Sequence, residues 1–167
     1  MASRARTGPQ TGGDAIVAHI SAATGARDPF TFGFSDMDVI AYRVEDPLPH
    51  ILYVTLGLSR TRSAVPVAGT QTELTLRVPA VAPLPYAWPA EQLAAMARQV
   101  RSSGDEIAPG HYLRLGTPLA GAAKISGFTF VTDPVLGIID PPTGIVRFTY
   151  AVGVTAPELE AALAWDP

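Results

Sequence analysis

A chain of 167 residues, 47% hydrophobic and 16% charged, is long enough for one domain with a real apolar core and too apolar to stay disordered. A net charge of -3 gives no general attraction to phosphate backbones, which argues against nucleic-acid binding. With no cysteine, a disulfide framework, a thiolate nucleophile and a cysteine-ligated metal are all excluded.

The opening "MASRARTGPQTGG" carries two arginines with no apolar segment behind them. The next apolar run, "AIVAHISAATGA", is broken by His19 and Ser21 and is too short to span a bilayer. These features predict a cytoplasmic protein without a membrane role, disordered over 1–12 and folded over 13–167. Asp14 is expected to cap a first helix that Gly25 ends. "DPFTFGFSD" sets aromatics between turn-formers and reads as a loop packed on the core.

Strands are expected at 38–44, 51–59 and 72–78. In the second, Leu52, Val54, Leu56 and Leu58 fall on one face by the two-residue period. In the third, Leu74, Leu76 and Val78 point one way and Glu73, Thr75 and Arg77 the other, so one face should meet water. "RTRSAVPVAGT" joins these two as a long hairpin loop. The proline-punctuated 79–89 breaks regular structure. Leu93, Met96, Ala97 and Val100 then recur at helical spacing, predicting an amphipathic helix over 90–103 that Gly104 closes in the left-handed conformation.

Short strands follow at "HYLRL" and "ISGFTFV", and turns bracket Ile138 and Ile139. In "IVRFTYAVGV", Val146, Phe148, Tyr150 and Val152 share a face. Thr155 and Glu158 stand at capping-box spacing, with Pro157 in the first turn of a closing helix over 156–165. The sum is a single α/β (α+β) domain with a mixed, largely antiparallel sheet flanked by helices.

The chain carries few marks of catalytic or metal chemistry. The chain has no G-x-S-x-G elbow, no H-E-x-x-H pair, no phosphate-binding loop and no G-x-G-x-x-G. Asp36 and Asp38 in "SDMD" lack the further oxygens of a calcium loop and read as a strand-entry turn. Trp88 and Trp165 are expected to fill the core or cover its edge. "SSGDEIAPGHYLRLG" (102–116) gathers Asp105, Glu106 and His111. No candidate nucleophile stands out, and His19 and His50 have no spacing relation to His111 that would complete a metal site, so His111 reads as a surface residue starting a strand after the Pro109-Gly110 turn. Neither a cofactor nor a small-molecule substrate is expected.

"YVTLGLS", "ELTLRVP", "SGDEIAPGH", "DPVLGIIDPPTGIVRFTYAVGVT" and "PELEAALAW", taken in order over residues 28–165, resemble the Suppressor of Fused family. The resemblance implies a mixed α/β domain with a non-enzymatic, protein-binding role. In the animal member this region is the first of two domains, which together clamp an extended peptide of Gli transcription factors as an added strand. Here it implies Asp105 as partner-binding, while Thr132 in "VTDP" stands where the animal protein has an acid; Glu106 and His111, beside Asp105 in the same stretch, are expected to share that partner-binding rim. Single-domain bacterial relatives are proposed as immunity proteins, which implies a toxin domain as protein partner. Two alternatives stand beside this: a housekeeping interaction module without a toxin, and a hydrolase centred on Asp105, Glu106 and His111.

Overall fold

The computed structural model describes residues 12–60, 70–104, 107–116, 119, 124–142 and 144–165. Its elements are α1 (Gly12–Thr24), β1 (Phe30–Gly33), β2 (Asp38–Val44), β3 (His50–Leu56), β4 (Thr70–Pro79), α2 (Ala87–Ser103), β5 (Tyr112–Arg114), β6 (Ile125–Thr132), β7 (Ile138–Ile139), β8 (Ile145–Thr155) and α3 (Ala156–Trp165). The strands form an 8-stranded sheet in the order β1-β2-β3-β4-β8-β6-β5, with β7 on β8. Among the described strands, β4 and β8 pair parallel and the other pairs are antiparallel. The architecture is the α/β class expected from the alternating and helical patterns.

Both faces of the sheet are covered because apolar side chains leave β2, β3 and β8 on both sides. On one face, Val39, Ala41, Tyr53, Leu74, Leu76, Phe128 and Phe130 meet Ala90, Leu93, Met96 and Ala97 of α2. Full burial of Leu93 stabilises the fold by about 1.5–3 kcal/mol. On the other face, Ile40, Tyr42, Leu52, Val54, Val146 and Phe148 meet Ile16 and Ile20 of α1. α3 lies across β6 and β8 and buries Leu159.

Gly104 closes α2 at φ 74°, its N–H reaching Val100 O at 2.9 Å, as the glycine position predicts. Thr155 donates both its N–H and its hydroxyl to Glu158 Oε2 at 2.8 and 2.9 Å, so the carboxylate reaches back over the start of α3. Among the described residues, no helix is long and apolar enough to cross a membrane.

Several expectations give way. Phe30–Gly33 is an edge strand rather than a loop, paired through Phe30–Ala41 to Gly33–Asp38. Asp14 lies inside the first turn of α1, not ahead of it. α2 begins at Ala87, three residues early, because Pro89 falls in the first turn, where no intrahelical N–H bond is lost. Leu58 joins the α2-facing core, opposite Leu52 and Val54. The strand ends at Leu56, and Gly57 at φ 123° turns the chain into a short 3₁₀ helix over Leu58–Arg60. Trp165 is 88% exposed and covers nothing, whereas Trp88 packs on the core. The 61–69 part of the hairpin loop and residues 1–11 of the expected disordered segment lie outside the described residues.

Candidate functional site

The stretch 102–116 leaves the end of α2 and becomes the outermost strand of the sheet. Asp105 and Glu106 lie outside the described residues. Beyond them Pro109 and Gly110 make the expected turn, with Gly110 at φ 90°. His111 closes it twice: its N–H donates to Ala108 O at 3.1 Å, and its Nδ1 accepts the Ala108 N–H at 3.3 Å. That acceptor role leaves the proton of the neutral ring on Nε2. The ring is exposed and serves the turn rather than a proton relay.

The three histidines do not converge. His19 Nε2 bonds Leu136 O at 2.7 Å and its ring stacks on Phe148, and His50 Nδ1 bonds Leu48 O at 2.7 Å. Asp36 pairs with Arg101 at 2.6 Å, at the turn that enters β2 at Asp38. Among the described residues, no group of three or more His, Cys, Asp or Glu side chains is placed to hold a metal.

β5 pairs with β6 through Tyr112–Thr129, Leu113–Phe128 and Arg114–Gly127, and no described strand lies beyond it. Leu115 N–H donates inward to Ser126 O at 2.9 Å. Antiparallel ladders alternate, so Leu113 also points its polar groups inward, while Tyr112 and Arg114 turn theirs to the open edge. Behind this edge a cavity of about 160 Å³ is lined by Val100, Ser103, Ile107, His111, Leu113 and Phe130. An open ladder beside a partly apolar pocket accepts an extended chain through main-chain bonds plus one seated side chain.

Two buried carboxylates escaped the sequence reading, which put Glu73, Thr75 and Arg77 on a wet face. Glu73 and Thr75 are each 0% exposed. Glu73 accepts bonds from Thr55 Oγ1, Ser59 Oγ, Ser59 N–H and Gly57 N–H. Burial pushes its carboxyl up, against the pull of those donors. Asp133 accepts from Thr75 Oγ1 at 2.6 Å, from both Arg77 amino groups, and from Val135 and Leu136 N–H. Burial would raise Asp133, but the bonds from Arg77, Thr75 and Leu136 and the Arg77 charge outweigh it and hold the carboxyl below its usual range. The Arg77 guanidinium also lies 4.8 Å from the centre of the Tyr150 ring. Every oxygen of the two carboxylates is engaged by at least one donor, so both side chains tie distant segments of the frame together. The pattern of β4 carried no signal for them: Glu73, Thr75 and Arg77 alternate with apolar residues, and Asp133 lies in a distant turn.

The family model described as Suppressor of fused protein matches residues 33–167. Suppressor of fused homologs from Homo sapiens and Mus musculus are each 31% identical over 83 residues, 49% of this chain and 17% of the relative. The matched part is thus less than a fifth of those proteins. The crystal structure of a Sufu-Fu complex superposes with a TM-score of 0.84 at 24% identity, covering 95% of this chain and 81% of that one. Drosophila Suppressor of Fused superposes with a TM-score of 0.74 at 25% identity, over 90% of this chain and 43% of that one. A SUFU homolog from Neisseria gonorrhoeae gives 0.62 at 16% identity, over 89% and 80%.

Proposed function

The chain belongs to the Suppressor of fused family, and from that premise we propose that it is a non-catalytic protein-binding domain whose docking rim is the stretch 102–116. The observation that carries the reading is the open β5 edge, with Tyr112 and Arg114 facing outward beside the pocket at His111 and Phe130. The similarity to a Sufu-Fu complex, in which that relative is held with Fu, supports a protein as the partner class. Asp105 and Glu106 add negative charge to the rim, and His111 shapes its turn.

The finer reading is an immunity protein that works in the cytoplasm and neutralises a toxin domain by covering it. The net charge of -3 supports it modestly, because opposite charge on a basic partner speeds association. The experiment takes the product of the adjacent reading frame as the partner and measures its capture by the purified chain. Asp105→Ala should weaken capture by about 1–3 kcal/mol, the range for a charged hydrogen bond, with an unchanged melting temperature. His111→Ala should weaken it less. Capture unaffected by Asp105→Ala would remove the acid from the rim. An adjacent product that is neither toxic nor bound would leave a housekeeping interaction module as the better reading.

A further inference from the structure

Arg147 sits on β8, on the face of the sheet that carries α2, and its Nε is buried without a hydrogen-bond partner. Thr149, two residues on and on the same face, is 0% exposed, and its Oγ1 also lacks a partner. No ion pair among the described residues reaches Arg147, although the chain has 15 acidic residues. A guanidinium cannot shed its proton to ease burial, and all five of its N–H groups are donors. A guanidinium N–H and a hydroxyl buried side by side without partners are a cost unless an acceptor arrives from outside.

Arg147 as a whole is half-buried, and its neighbours are open. Ile138 is the register partner of Arg147 and is 54% exposed. Thr132, the partner of Thr149 on β6, is exposed. Two residues back along β6, Phe130 N–H bonds His111 O at 3.1 Å, so this patch adjoins the docking rim. We propose that Arg147, backed by Thr149 Oγ1, is a receptor for a carboxylate of the protein partner, with Ile138 as its apolar border. The proposal rests on the protein-binding reading and adds a charge preference to it. An acidic residue of the partner docks here while the rest of the segment follows the rim. A carboxylate suits the planar two-donor fork of arginine better than a spherical anion does.

The test uses the full chain, ¹⁵N-labelled, with N-acetylglutamate amide as probe and sodium chloride at equal ionic strength as control. The expected result is a saturable movement of the Arg147 Nε–H resonance and of the backbone amides of Ile138 and Thr149. Arg147→Lys, which keeps the charge and loses the fork, should weaken the backbone response about tenfold. Thr149→Val, which keeps the shape, should weaken it severalfold. Resonances that do not move, or that move equally in chloride or in Arg147→Lys, would overturn the carboxylate receptor. Because no protein partner enters this experiment, its failure leaves the rim proposal standing.

Discussion

Arg77 and Asp133, 56 positions apart in sequence, meet in a two-point ion pair: Nη1 to Oδ2 at 2.7 Å and Nη2 to Oδ1 at 2.9 Å. Asp133 is wholly buried there and Arg77 keeps 15% of its side chain exposed. The pair ties the turn after β6 to β4, across the intervening β8. Asp133 also bonds the N–H groups of Val135 and Leu136, so one carboxylate sets both the turn and its attachment.

Removing one partner of such a pair strands a buried charge. Asp133→Ala should therefore destabilise the fold by about 3–5 kcal/mol in urea denaturation. A loss below about 1 kcal/mol would mean that the guanidinium finds water or Tyr150 sufficient.

The acid limb of stability follows from the lowered Asp133 carboxyl. Between its folded and unfolded values the unfolded chain binds more protons, so stability falls as pH falls. The Asp133 contribution is complete above the unfolded value, about pH 4, and is lost as pH drops through the folded one. Glu73, whose carboxyl is raised, has the opposite sign: its contribution is complete below the unfolded value and declines as pH climbs toward the folded one. Asp133→Asn should flatten the acid limb below about pH 4, and Glu73→Gln should flatten the decline above it. Wild-type slopes retained in both variants would refute these assignments.

The strands and α2 were legible because their periods are strong, and Gly104, Pro157 and the Thr155–Glu158 spacing marked their ends. What the pattern left dark was polar burial. Glu73, Thr75 and Arg77 alternate with Leu74, Leu76 and Val78 just as a half-wet strand would. Only the fold brings Thr55, Ser59 and Asp133, from distant segments, to meet them. β1 was missed because Gly33 and the flanking Asp28-Pro29 and Ser35-Asp36 pairs speak for turns, and tertiary pairing with β2 overrides that preference. At the rim, the turn and the surface ring of His111 were readable. The open edge of β5 was not, since strand order is a property of the whole sheet.

Gly127 holds β5 at its distance. A Cβ there would lie 2.5 Å from Leu113 O and 2.9 Å from Leu159 Cδ2, a backbone contact that a side-chain shift cannot relieve. Gly127→Ala should cost about 1–3 kcal/mol and should pry the edge strand from β6. Thermal melting measures the first effect and amide exchange at Leu113 the second. A variant as stable as wild type would mean that β5 moves freely.

Outward N–H groups make a proline scan informative. Arg114→Pro removes a donor at the open edge, where proline is tolerated, and the side chain with it, so Arg114→Ala is its control. Leu113→Pro removes one that the ladder uses. The first should lose partner capture with little loss of stability, and the second should lose both. Capture by Arg114→Pro equal to wild type would show that main-chain bonding at this edge is not used.

Amide hydrogen exchange on the chain alone and in complex with its captured partner reads the edge directly. The docking account predicts that Tyr112 and Arg114, fast in the free protein, become protected in the complex, together with the turn at His111. Protection confined to other surfaces, with Tyr112 and Arg114 exchanging as fast as before, would contradict it.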